Sequence, residues 1–219
     1  MGGLGFSIGS ITKLFSRPPP IRTLADMEDF IDRHTAFTIQ KGIVEYCRAR
    51  SGVLWSKLFK EPAFMDSLNR ARWRSFGIGV GNVAEMIDAA LYPRAGADRA
   101  TLLEAITVAG RHVLQRYPVP QGEADDFWLQ AIAVFERRMA AVKLRAPRPV
   151  RDIPVATVRE IFELLPIHAE VRAHDFEPIK NNIRVNLCRS YETFIQQLEE
   201  DALVADLKAP RAPVKVPSV

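Results

Sequence analysis

Trp128, Ile132, Phe135, Met139 and Val142 stand at offsets of 0, 4, 7, 11 and 14. That spacing gathers all five on one face of an α-helix and would scatter them over both faces of a strand. The same period governs Leu24, Met27, Ile31, Ile39, Ile43 and Cys47, then Met65, Leu68, Phe76, Val83, Ile87 and Leu91, and later Phe176, Ile179, Ile183, Leu187, Tyr191, Phe194 and Leu198. No apolar–polar alternation runs longer than a few residues, and no internal repeat is present. The pattern predicts an all-α fold: an irregular bundle of about six to seven helices with flexible basic termini.

Punctuation residues divide the pattern. Thr23, with Asp26 three residues on, predicts an N-cap for a helix reaching about Arg50, and Ser51-Gly52 predicts its stop. A short piece covers Val53–Lys60. Glu61-Pro62 opens the next helix, which is expected to end near Tyr92-Pro93. Asp98 is expected to cap a fourth helix bearing Leu103, Ile106, Val113 and Tyr117, and Gln121–Val142 forms a fifth. Arg145–Pro154 holds Pro147, Pro149 and Pro154 and reads as a linker, followed by a short helix over about Thr157–Leu165. A last long helix starts near Asp175, tolerates Pro178 in its first turn and is expected to run to about Leu207. The predicted organisation is a basic amphipathic segment with a Pro-rich spacer over 1–22, one helical domain over 23–207 with its linker near 145–154, and a disordered tail over 208–219.

At 219 residues, 47% hydrophobic and 26% charged, the chain can bury an adequate core. Its charge is unevenly placed. Residues 1–24, 143–151 and 208–219 hold ten cations and no acid, so a formal net charge of +4 leaves the remainder at −6. An acidic body with basic edges argues against nucleic acid as the partner. No stretch reaches the ~18 apolar residues of a spanning helix. Met1–Ile11 lacks the basic start and apolar run of a secretory signal. The two cysteines, Cys47 and Cys188, both sit in helical patterns, as expected of a reduced intracellular protein.

In the first segment Leu4, Ile8, Ile11 and Phe15 follow helical spacing, Lys13 and Arg17 flank them, and Pro18-Pro19-Pro20 closes the stripe. Such a segment suits an anionic membrane surface or a groove in a partner protein. Gly2, Gly3, Gly5 and Gly9 each cost a helix about 1 kcal/mol, so the helix would form only on binding. Met1-Gly2 opens like a myristoylation signal, but position 6 is Phe6 where Ser or Thr is needed.

Several short motifs match chemistry without its context. Gly5-Phe6-Ser7-Ile8-Gly9 fits the nucleophile elbow of serine hydrolases, yet no strand precedes it and no parallel sheet follows. Ser10-Ile11-Thr12-Lys13 fits S-x-x-K without its partner motifs. Gly79-Val80-Gly81-Asn82-Val83-Ala84 fits a dinucleotide fingerprint, but it lies inside a helical pattern, where glycines serve a close helix crossing or a kink. His168 and His174, beside Glu170 and Asp175, are six residues apart, a poor spacing for a helical metal site, and no metal or cofactor is expected. Arg70-Ala71-Arg72-Trp73-Arg74 interleaves cations with an aromatic, but reads better as a solvated face carrying a partly buried tryptophan.

The least ordinary stretch is Asn181–Arg189. Three asparagines in six residues weaken a helix by about 2 kcal/mol relative to alanine. Asn182, Asn186 and Arg189 line one flank, with Asn181 and Arg184 beside them. Two readings follow: a polar pocket or partner surface, or a satisfied buried network that holds the helix in register. Glu45, Tyr46 and Arg48 are possible partners for it. At Ala36–Gly52, AFTIQKGIVEYCRARSG, and again at DFEPIKNNIRVNLCRSYETF, the chain resembles uncharacterised all-helical proteins of alphaproteobacteria. The resemblance implies a bacterial protein that is cytosolic or faces the inner membrane, and implies no activity.

These residues together predict a non-enzymatic helical interaction or adaptor protein, cytoplasmic and peripherally attached to the inner face of a membrane through its N-terminal segment. A protein partner or homo-oligomerisation would firm that attachment. The alternative is a small-molecule-binding protein or enzyme built on the flank of Asn182, Asn186 and Arg189.

Overall fold

The computed structural model describes residues 19–209. Within them the chain is all-α, a packed helical bundle without strands. The expectations for residues 1–18 and 210–219, including the anchor residues Leu4, Ile8, Ile11, Lys13, Phe15 and Arg17 and the hydrolase-like Ser7, lie outside the described residues.

Helix α1 (Leu24–Thr35) starts at the expected capping box: Thr23 Oγ1 accepts from the Asp26 amide at 3.2 Å, and the Asp26 carboxylate accepts from the Thr23 amide at 3.0 Å. It passes through one wide turn, a π-helical stretch over Ala36–Lys41, into α2 (Gly42–Ser51). Gly52, at φ 51°, stops it. A 3-10 turn (Gly52–Leu54) and the short α3 (Trp55–Leu58) lead to α4 (Pro62–Ala95), 34 residues and about 51 Å long. Pro93 does not end α4, because it falls only in the last turn.

Helix α5 (Arg99–Gln115) follows Asp98, which makes no side-chain cap; its carboxylate accepts from Lys208 Nζ at 2.7 Å instead. Helix α6 (Phe127–Lys143) starts later than expected, since residues 121–126 form turns. The Pro-rich stretch is packed: Val150–Ala156 is a 3-10 helix with Ile153 and Pro154 buried. Helix α7 (Val158–Leu164) is short, and α8 (Phe176–Gln197) does not continue to Leu207. It breaks at Leu198-Glu199, and α9 (Glu200–Lys208) turns away. The break is held by the N-terminal strand-like residue Ile21, whose amide donates to the Gln197 carbonyl at 2.8 Å and whose carbonyl accepts from the Glu199 amide at 3.1 Å.

Two apolar clusters share this frame. The larger joins α1, the C-terminal two thirds of α4, α5, α6, the end of α8 and α9 around Phe30, Phe76, Ile106 and Phe194. The smaller joins the π-helical turn, α2, the start of α4, α7 and the start of α8 around Ile39, Cys47, Leu68 and Ile183. The glycines of the dinucleotide-like motif serve close approach. A Cβ on Gly79 would lie 2.6 Å from Ile39 Cγ1, and one on Gly81 would lie 2.7 Å from Arg138 Nη1. Trp73 is half-buried in an aromatic cluster with Phe76, Tyr117 and Trp128, while Arg74 pairs with Glu123 at 2.9 Å.

Candidate functional site

The π-helical turn is the local event that makes a site. Its wide turn places Phe37, Thr38 and Ile39 along one side, with Pro178, Ile179, Asn182, Ile183 and Asn186 of α8 on the other. Between them lies a groove of about 550 Å³. Ile39 from the π-helical stretch and Ile43 from α2, Ile161 from α7 and Leu165 just after it, and Ile179 and Ile183 from α8 make its apolar floor. Asn182 and Asn186 stand on one rim and Glu45, Tyr46 and Arg50 on the other.

The amides are exposed or half-exposed, not a buried network. Asn186 Nδ2 donates to Asn182 Oδ1 at 3.0 Å, which leaves the Asn182 side-chain amide hydrogens and the Asn186 side-chain Oδ1 with hydrogen-bonding capacity to spare. Behind them Ser190 Oγ donates to the Asn186 main-chain carbonyl at 3.0 Å and sits 2.9 Å from His34 Nδ1. Burial pushes His34 down to about 4. At the groove's end Asp175 is buried and takes three bonds: two from the Arg50 guanidinium and one from Tyr46 Oη at 2.7 Å. The Arg50 hydrogen bonds hold the Asp175 carboxyl below the usual carboxylate range, and burial with the Asp175 bond raises the Tyr46 phenol. The end of the groove is thus a neutral, locked ion pair.

Not every residue of the expected flank meets the groove. Arg184 turns to the 3-10 helix, where its Nε donates to the Arg151 carbonyl at 2.8 Å and its Nη2 lies 3.5 Å from Asp152, while exposed Asn181 accepts from Arg184 Nη1 at 3.4 Å. Arg189 is exposed and outside the lining. Tyr46 and Glu45 do face the asparagines across the groove, whereas Arg48 pairs back to Glu45 at 2.6 Å. The floor residues of α7 and the Arg50–Asp175 pair are not apparent from the sequence, because contacts across more than a hundred residues have no local period.

The buried polar network lies elsewhere. Glu85, 1% exposed, accepts from Arg138 Nη2 at 2.9 Å and Arg145 Nη2 at 2.6 Å, with Arg148 Nε at 3.9 Å. Asn82 Oδ1 accepts from Arg138 Nη2 at 2.9 Å and from Thr157 Oγ1 at 3.1 Å. Asp88 pairs with Arg99, which also donates to the Arg145 and Val142 carbonyls. These contacts fasten the Pro-rich stretch to α4.

His168 and His174 are exposed, and among the described residues no group of three His, Cys, Asp or Glu side chains could hold a metal ion. Cys47 and Cys188 are free thiols, and burial pushes Cys47 up to about 12. No helix among the described residues is long and apolar enough to cross a membrane. Compared with protein-family models, curated proteins and solved structures, the chain matches none.

Proposed function

We propose that this is a binding protein whose groove between the π-helical turn and α8 takes a small amphipathic molecule, with its apolar body on the isoleucine floor and a neutral polar head at Asn182 and Asn186. The observation that carries the reading is the groove itself: a volume typical of small-molecule sites, an apolar floor and two mutually bonded amide groups with hydrogen-bonding capacity left over at one rim. Asp175 and Arg50 satisfy one another and Glu45 pairs with Arg48, so the asparagine rim offers hydrogen bonds. The one lining cation without a carboxylate partner among the described residues is Lys41, over the Phe37 ring. Tyr46 stays protonated and Asp175 ionised near neutral pH, which suits binding and orientation better than proton transfer.

Nile red in the presence of the full chain tests the floor, and displacement by a long-chain primary amide tests the head. Ile179→Trp, which fills the groove from a half-buried position, is expected to weaken dye binding at least tenfold while the melting temperature holds. Asn186→Ala is expected to leave the dye and weaken the amide about fivefold, the worth of one hydrogen bond of about 1 kcal/mol. Dye binding that Ile179→Trp leaves intact sinks the proposal.

A second reading, an adaptor that receives an amphipathic helix, is favoured by the groove's open side, where Phe37 is half-exposed. An unlabelled amphipathic peptide displacing the dye better than the amide would select it. Attachment of the protein to the inner face of a membrane through Leu4, Ile8, Ile11 and Phe15, with Lys13 and Arg17 on headgroups, is proposed from the sequence alone.

A further inference from the structure

Three consecutive apolar side chains at one corner of the fold stand in solvent: Val53 is 94% exposed, Leu54 65% and Trp55 45%. The corner is built, not frayed. Gly52 turns the chain at φ 51°, the 3-10 turn and α3 close behind it, and Trp55 meets Phe59 edge-on at 6.2 Å. Phe59 in turn packs on Phe64, and both rest against the smaller core cluster. A folded base therefore presents an apolar tip that no described residue covers.

The tip's own stretch of chain is cationic. Between Glu45 and Glu61 the chain carries Arg48, Arg50, Lys57 and Lys60 and no acid. Arg48 is paired with Glu45 and Arg50 with Asp175, whereas Lys57 and Lys60 have no carboxylate partner among the described residues. Three apolar side chains are too small a patch for a stable protein interface, which buries about 800 Å² on each side and is depleted in lysine. A lipid surface needs far less: a few apolar side chains in the acyl boundary, an indole at headgroup level and cations over anionic phosphates. We propose that the Gly52–Lys60 corner docks the protein on an anionic bilayer, with Val53 and Leu54 inserted, Trp55 at the interface and Lys57 and Lys60 on the headgroups. Ala49 and Arg50, which line the end of the groove, lie three to four residues before Val53, so docking brings that end of the groove near the membrane. The proposal stands independently of what fills the groove, and it uses a different surface from the N-terminal segment.

The test uses the full chain with phosphatidylcholine vesicles, with and without phosphatidylglycerol, some carrying brominated acyl chains. The chain is expected to float with the anionic vesicles at low salt, and brominated lipid is expected to quench its fluorescence. Trp55→Phe should abolish that quenching, because Trp128 is buried and Trp73 half-buried in the interior. Lys57→Gln with Lys60→Gln should weaken vesicle partition about thirtyfold. All three substituted positions, Trp55, Lys57 and Lys60, are exposed, so folding is not at stake, and an unchanged melting temperature confirms it. No flotation with anionic vesicles overturns the proposal. So does flotation without quenching of Trp55, or flotation that the double lysine variant retains; either would assign binding to residues 1–18. Partition that is equal on neutral vesicles overturns the headgroup role.

Discussion

Glu85 shows what one residue can decide. It is the most enclosed carboxylate of the molecule, 1% exposed, and Arg138 and Arg145 reach it from α6 and from the Pro-rich stretch. Desolvation lowers the Arg138 guanidinium, the Glu85 contact opposes that shift, and Arg148 and Arg145 reinforce it. The carboxylate therefore holds together cations that would otherwise repel. Glu85→Gln keeps the shape and removes the charge, leaving Arg138 buried without a counterion. Loss of one partner of a buried pair typically costs about 3–5 kcal/mol, and urea unfolding should report a loss in that range. A loss under about 1 kcal/mol would mean that the arginines swing out to water and that the pair is ornamental to stability. Gly81 belongs to the same device: any Cβ there would meet Arg138, so the glycine that mimics a nucleotide motif is what lets a guanidinium lie across α4.

At the scale of elements, local signals and long-range contacts separate cleanly. The Thr23 capping box and the Gly52 stop are written in neighbouring residues and stand where the sequence places them. The break after Gln197 is not: Phe194 and Leu198 keep helical spacing, and Leu203 and Leu207 continue the apolar series. What ends α8 is Ile21, 1% exposed, bridging Gln197 and Glu199, with Arg22 on Glu199 at 2.6 Å. Ile21→Ala is expected to cost about 2–5 kcal/mol and to raise amide exchange first in α9. Equal acceleration across α5 and α6 would show instead a global effect. The π-helical turn escapes sequence reading for a similar reason. Ile31, Ile39 and Ile43 keep spacings an ordinary α-helix allows, and the extra residue shows only as Thr38, Ile39 and Gln40 all buried in a row. The site divides along the same line: Asn182 and Asn186 are legible as one flank because i and i+4 share a helix face, while Ile161, Leu165 and Asp175 join it only through tertiary packing.

The whole molecule corrects the reading of its charge. Of the 30 Lys and Arg, two precede Pro19 and two follow Ala209, so 26 remain in the described body against 26 Asp and Glu. That body is neutral rather than acidic, because Arg22, the four cations of 143–151 and Lys208 belong to it, and Arg145 and Arg148 are folded onto Glu85 rather than forming a free basic edge. The same stretch bears on cooperativity. α4 contributes Leu68 and Ala71 to the smaller cluster and Phe76 to Leu91 to the larger, and α8 does likewise with Ile183 and then Leu187 and Phe194. Neither cluster can melt without fraying a helix that the other needs. The chain should therefore unfold in one transition, with tryptophan fluorescence, which reports Trp73 and Trp128 in the larger cluster, coinciding with far-ultraviolet ellipticity. Phe162→Ala removes a ring from the smaller cluster, 8% exposed and edge-on to Phe176 at 5.4 Å, and should shift both signals together by about 3–5 kcal/mol. Two separated transitions, with only the ellipticity moved by Phe162→Ala, would show that the helices yield at their midpoints and that the groove, which sits on the smaller cluster, can open while the larger core stays folded.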